Sequence, residues 1–377
     1  MYLLILNYWK SQGMYRLCVA ALLYGTCGAA WADSGVEFSG RIDAGITYVN
    51  NEHGNSSAFF DSGIAAPSTF SISGQEDIGA RTRAIFELTS QFNVGNGSTV
   101  PGSNELFNRT ALVGISSVRY GTVTLGTQYD FMTDSLSAKG FDNAFSYGGL
   151  YDFRQGPFSR LGIPSNPTGS FDFDRMAGTE RVSNAVKFQS LEYGGFSLGG
   201  LYGSGNVAGS VSRDATTSFG ANFHSGPFAA GLAYVDVKYP ELDDGESGLR
   251  TWGAGARYQF AKVLGTLLFT RTQNTLTGAA VNVYKAGASG ALSGPWSGAL
   301  DYTYMKGNLA VGGAAANQFA GTISYSLSRR TRLYAETIYQ RTNSDSAHAW
   351  INGLPSPDSE STSRNQLLSR VGVVTSF

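Results

Sequence analysis

V36-E-F-S-G-R-I-D-A-G-I-T-Y48 changes character at every residue. Val36, Phe38, Gly40, Ile42, Ala44, Ile46 and Tyr48 fall on one side, and Glu37, Ser39, Arg41, Asp43, Gly45 and Thr47 on the other. A period of two is the signature of a strand with two unlike faces. One face is apolar and ends in an aromatic. The other carries two acids and a base in mid-strand. Which face meets solvent decides the fold.

The pattern recurs along the chain. Phe196, Leu198, Gly200 and Tyr202 form one apolar face, and Phe228, Ala230, Leu232 and Tyr234 another. Trp296 to Tyr304, Phe319 to Tyr325 and the closing R370-V-G-V-V-T-S-F377 repeat it. Between these runs the connections come in two kinds. Short ones carry turn residues, such as Ser225-Gly226-Pro227 and Ser293-Gly294-Pro295. Long ones are polar and rich in Gly, Ser and Asn: 50–67, 95–105, 130–180, 204–215, 238–248, 273–281, 306–316 and 342–363. Eight long and seven short connections give sixteen strands with both chain ends on the short-turn side.

A soluble sandwich hides its apolar face, whereas a membrane barrel turns it to lipid. Aromatics at the strand ends match the two girdles of a membrane barrel. The strands are long, and the polar faces carry Arg41, Asp43, Glu87, Arg257, Asp301 and Arg370 in mid-run. The fold class is therefore all-β: a sixteen-stranded antiparallel transmembrane β-barrel, with short periplasmic turns and long extracellular loops. Lipid offers no hydrogen bonds, so the last strand must pair with the first. Phe377 then ends the lipid face at the periplasmic interface. A terminal aromatic there also offers a handle to the outer-membrane assembly machinery.

The 377-residue chain opens differently. Lys10 and Arg16 precede the apolar run Leu17 to Leu23, and Ala30-Trp31-Ala32 follows. That is a secretory signal, read as residues 1–32, which leaves the barrel as 33–377. Either Met1 or Met14 serves as the start. Both cysteines, Cys18 and Cys27, lie in the removed segment, so the exported part has no disulfide. The slight acidity of the remainder gives no electrostatic footprint for nucleic acid.

Several segments in order resemble the Gram-negative trimeric porins of the beta-proteobacterial type. They are VEFSGRIDAGITYVNN (36–51), STFSISGQEDIGARTRAIFELTSQFN (68–93), FNRTALVGISSVRYGTVTLGTQYD (107–130), RVSNAVKFQSLEYGGFSLGGLYG (181–203) and the terminal RVGVVTSF. Ser39, Glu37 and the missing His before Phe377 depart from the family's pattern. The resemblance implies a homotrimer in the lipid bilayer of the outer membrane, with a water-filled lumen for small hydrophilic solutes and ions. It also implies that the third long loop, 130–180, folds into the lumen and narrows it. That loop holds seven carboxylates, including Asp130 and Asp134, against four cations.

The expected pore lining is Glu37, Arg41, Asp43, Arg83, Arg109 and Arg370 on the wall, with Asp130 and Asp134 on the loop. A basic wall facing an acidic loop would set a transverse field. Phe141, Phe145, Tyr147, Tyr151, Phe153, Phe158, Phe171 and Phe173 keep a second reading open, a substrate-selective channel with a binding site in the loop. A third is a barrel adhesin or enzyme. Only His348 near Asp345 or Asp358 offers a catalytic pairing, and no nucleophile, zinc or phosphate-loop motif occurs. No cofactor or metal is expected; Asp243-Asp244-Gly245-Glu246 reads as a solvated turn.

Overall fold

The computed structural model describes residues 34–100, 105–355 and 358–377. The signal-peptide reading of 1–32 lies outside them. Seventeen hydrogen-bonded segments form one closed sheet: β1 (Ser34–Glu52), β2 (Asn55–Ser62), β3 (Thr69–Gly79), β4 (Thr82–Gln91), β5 (Thr110–Ser117), β6 (Gly121–Gln128), β7 (Val182–Gln189), β8 (Phe196–Gly203), β9 (Thr216–Ser225), β10 (Phe228–Lys238), β11 (Gly248–Phe260), β12 (Val263–Asn274), β13 (Ala280–Ala291), β14 (Trp296–Gly307), β15 (Ala315–Ser326), β16 (Thr331–Thr342) and β17 (Asn365–Ser376).

All pairings are antiparallel between neighbours in sequence, and β17 closes on β1 with Arg41 opposite Ser376 and Val49 opposite Leu368. β2 and β3 are two halves of one descending strand. β2 pairs with the upper part of β1, Ser62 opposite Ala44, and β3 with the lower part, Thr69 opposite Arg41. The barrel therefore has sixteen staves. The segment 63–68 leaves the sheet between the halves. Ile64, Ala65 and Ala66 are nearly fully buried there, on the inner side.

This corrects the expected first long loop, 50–67. The chain turns tightly at His53 and Gly54, both at positive φ, and resumes pairing at Asn55. Over Asn55–Ser62 both faces mix polar with apolar residues, Phe59 on one and Phe60 on the other, so alternation fades although pairing continues.

The outward face is the apolar one. Val36, Phe38, Ile46, Tyr48, Leu232, Leu267, Leu300 and Val371 are all exposed, whereas Asp43, Thr47, Ser218, Thr251, Thr303 and Arg370 are buried inside. Phe377 seals the seam. Its N–H donates to Gly40 O at 3.0 Å, and Gly40 N donates to Phe377 O at 3.1 Å. Its ring covers Gly40, where a Cβ would lie 2.3 Å from the ring, and stacks on Phe38.

The interior is unequally filled. The segment 130–180 packs against the inward faces of β7 to β16, reaching Leu368 of β17 and Val49 of β1, and its apolar side chains join theirs in continuous clusters. The inward positions of β3 to β7, among them Ser71, Ser73, Glu87, Ser116 and Lys187, stay partly exposed. The open passage runs along that side.

Candidate functional site

Three aromatic rings seat the loop in niches where the wall has no side chain. Phe131 lies over Gly199 and Gly220, Phe141 over Gly231 and Gly255, and Tyr147 over Gly287. A Cβ at any of these five positions would come within about 2.1–2.5 Å of a loop atom. Tyr147 also shares a 2.8 Å hydrogen bond with Thr266. The sequence carries a signal that the reading of strand faces missed: each of β8 to β11, and β13, has Gly at an inward position.

Buried charge fixes the loop further. Lys285 on β13 contacts Asp142 and Asp301 at 2.9 and 2.8 Å, and also Asp152. Arg154 bridges Asp142 at 2.5 Å and Asp174 at 2.9 Å. These six side chains are fully or almost fully withdrawn from solvent. Burial alone would raise the pKa of Asp142, but the Arg154 and Lys285 charges outweigh it and hold it at about 2. Asp172 fares otherwise. Burial and the Asp174 charge push it up to about 7, although Ala177 N and the Thr179 hydroxyl both donate to it.

Most of the loop's acids are therefore buried, while Asp134 and Glu180 stay about a third exposed. Asp130 is buried against Arg175 at 2.5 Å, and Arg175 also holds Glu180. Asp134 pairs with Lys187 of β7. Of the aromatic run, Phe141, Tyr147, Tyr151, Phe153, Phe158 and Phe173 are buried, whereas Phe145 and Phe171 stay partly exposed, so a continuous track of all eight is not formed.

The wall residues divide into three groups. Arg41 and Arg109 stand at one level, because Arg41 pairs with Thr69 and Thr69 with Gln91, whose side chain accepts from Arg109. Arg109 also lies over the Tyr129 ring, 5.4 Å from its centre. Two arginines that sequence reasoning passed over join them. Arg332 opposes Val374, which opposes Asp43, two residues along from Arg41. Arg181 donates to Arg109 O at 3.2 Å. The charges of Arg332 and Arg109 both bear on Arg41. Burial and the neighbouring Arg109 charge lower the pKa of Arg181 to about 10. Among the described residues none of these four guanidinium groups has a carboxylate within 4.0 Å.

Glu37 and Arg83 sit towards the periplasmic mouth. Glu37 opposes Ser73, which opposes Glu87, and Arg83 donates to Gln75 at 3.0 Å.

Asp43 and Arg370 form the third group, and neither reaches the lumen. Arg370 Nη2 donates to Asp43 Oδ2 at 3.2 Å, Nε to Tyr334 at 2.7 Å, and the guanidinium also contacts Asp61 and Glu336. Segment 63–68 lies over them. Ile64 N and Ala65 N donate to Asp43 Oδ2 at 2.6 and 3.1 Å, and Ser68 Oγ accepts from Asp43 N. Strand parity gives the face of a residue but not what covers it.

His348 stands 3.6 Å from Glu360, and Asp345 faces Arg364 at 3.7 Å. No group of three or more metal-ligating side chains occurs among the described residues.

A family model described as Gram-negative porin matches residues 18–346. An outer membrane porin protein of Bordetella pertussis is 26% identical over 380 residues, covering 86% of this chain and 94% of that protein. Among solved structures, the anion-selective porin from Comamonas acidovorans superimposes with a TM-score of 0.74 at 22% identity, over 91% of this chain and 100% of that one. The in-vitro folded OmpT of Vibrio cholerae, in its trimer form, gives 0.62 at 12% identity, over 91% and 99%.

Proposed function

The chain belongs to the Gram-negative porin family and is an outer-membrane channel for passive diffusion of small hydrophilic solutes, and from that premise we propose that its passage prefers anions. The observation that carries this is the group Arg41, Arg109, Arg181 and Arg332, partly exposed and with no carboxylate of the described residues within 4.0 Å. Six of the seven acids of the facing loop are engaged by Arg154, Arg175, Lys187 and Lys285. At about 0.15 M salt the Debye length is about 8 Å, comparable with a pore radius, so a cluster of like charges governs the passing ion. The anion selectivity of the Comamonas porin agrees with this reading.

In this proposal segment 130–180 is the constriction, and three copies associate, as the trimer form of the Vibrio neighbour does. Glu37 and Glu87 lie towards the mouth and moderate the preference without reversing it. The terminal Phe377 serves the assembly machinery as the marker of the closing strand. The test is the reversal potential of the purified protein in a planar bilayer under a KCl gradient. A potential of anion-selective sign supports the reading, and one of cation-selective sign refutes it.

A further inference from the structure

Lys187 and Lys285 are wall cations engaged by acids of the loop. Arg257 of β11 lies under the same loop and is not. It stands on the inward face two residues from Gly255, towards the short turn that joins Phe260 to Val263. That places it on the periplasmic side of the Phe141 ring, which covers Gly255. Its guanidinium is partly buried, and Nε–H is withdrawn from solvent without a hydrogen-bond partner. Among the described residues no carboxylate lies within 4.0 Å of it. A buried polar group with no partner calls for an explanation.

The loop roofs this cation. The centre of the Phe141 ring lies 5.9 Å from Arg257 Cζ, and a Cβ at Gly140 would lie 3.8 Å from Nη1. A ring takes up the face of a guanidinium and leaves its edge, where the N–H groups point. Neither neighbouring strand serves that edge. Opposite on β10 is Ala229, which has no polar side chain, and opposite on β12 is Thr266, whose hydroxyl is shared with Tyr147 at 2.8 Å. Ala229 in turn opposes His224, and the acid at that level, Glu192, stands 3.2 Å from His224 Nδ1. Lys139, next to Gly140, is exposed and has no ion pair within 4.0 Å. Asp134, the acid whose charge Lys139 bears on, is paired with Lys187.

We propose that Arg257 and Lys139 form a binding site for a phosphate-class oxyanion on the periplasmic side of the loop. The free edge of Arg257 presents Nε–H beside an Nη–H, the fork that takes two oxygens of one phosphate. Lys139 adds a second positive charge from the loop. Chloride is a single centre and cannot span the fork, so the site discriminates between the two anions. β11 lies on the far side of the barrel from β1 and β3, so this station is separate from the Arg41 group. It does not depend on the anion preference assigned to that group.

Nuclear magnetic resonance of the detergent-purified barrel, isotope-labelled at the arginine nitrogens, tests this. Inorganic phosphate is the probe, and chloride at matched ionic strength is the control. The Arg257 Nε–H signal is the one that Arg257→Gln removes. It should move and saturate with phosphate at a midpoint at least tenfold below that for chloride. Lys139→Gln should raise the phosphate midpoint severalfold, and Arg41→Ala should leave it unchanged. Heat-modifiability on gels verifies that each variant is folded. An Arg257 signal that stays still, or that answers the two anions alike, overturns the proposal. So does a midpoint that follows Arg41→Ala, because phosphate would then sit at the Arg41 group. A second readout needs no assigned signal. Phosphate on the periplasmic side of a planar bilayer should lower the chloride current of wild type, and Arg257→Gln should need at least fivefold more for the same block. Equal block of the two overturns the proposal as well. A cation-selective reversal potential refutes the anion preference above and leaves these binding outcomes standing.

Discussion

Arg370 of the last strand reaches across the barrel seam to Asp43 of the first, Nη2 to Oδ2 at 3.2 Å, with both side chains shut off from solvent. Asp61 and Glu336 crowd the same guanidinium, so one cation serves three acids. Removing one partner of a buried pair costs about 3–5 kcal/mol, because the remaining charge stays buried and uncompensated. Arg370→Ala should therefore lower the temperature at which the barrel converts to its unfolded band on a gel, and leave the reversal potential of surviving channels almost unchanged. A normal melting temperature with a displaced reversal potential would instead make Arg370 a pore residue.

Arg41 stands on the other side of that division. It is partly exposed and feels the charges of Arg109 and Arg332, and in the proposed reading its own charge acts on mobile ions. Arg41→Ala should reduce the anion-to-cation permeability ratio by about twofold in dilute KCl, an effect that fades near 1 M, where the Debye length is about 3 Å. Arg332→Ala should act in the same direction. Reversal potentials measured at two salt concentrations check both the sign and the fading.

The glycine niches allow the loop to be released while the wall is kept. Gly255→Val would place side-chain carbons where the Phe141 ring now sits. The strand still pairs through its backbone, and Val suits a strand. The loop should lose its seat, and single-channel conductance should rise with more noise. Lys285→Met should do the same by stranding Asp142, Asp152 and Asp301, at a greater loss of thermal stability. Unchanged conductance in both variants would remove the loop from control of the passage.

The alternation of Val36–Tyr48 is enough to assign each β1 side chain its face, and the short and long connections are enough for the stave count. Two features escape such a reading. β2 is hidden because polar and apolar residues are mixed on both sides of Asn55 to Ser62, Phe59 on one and Phe60 on the other, so no period of two shows. The sealing of Arg370 is hidden because it depends on segment 63–68 folding back inside, a tertiary contact with no periodic signal. The basic group is partly legible: Arg41 follows from its strand, while Arg109 and Arg181 immediately precede β5 and β7 and Arg332 is the second residue of β16, where parity is harder to read.

Asp172 makes the loop sensitive to pH, and the sign follows from its raised pKa. The groups bearing on it are Asp174, which repels its charge, and Arg154, which favours it. Burial raises it to about 7 from an ordinary carboxylate value near 4, so the protonated form is favoured in the folded loop. Its contribution to loop stability is then full below about pH 4 and is lost as pH rises towards 7. Asp142 works in the opposite sense, but only as pH falls towards about 2, outside that window. Hydrogen exchange of residues 172–179 should therefore be slower at pH 5 than at pH 8, after correction for the intrinsic rate. Asp172→Asn keeps a buried acceptor and removes the titration, so it should abolish the difference and retain the slow rate at pH 8. A pH difference that persists in Asp172→Asn would assign the sensitivity to another group.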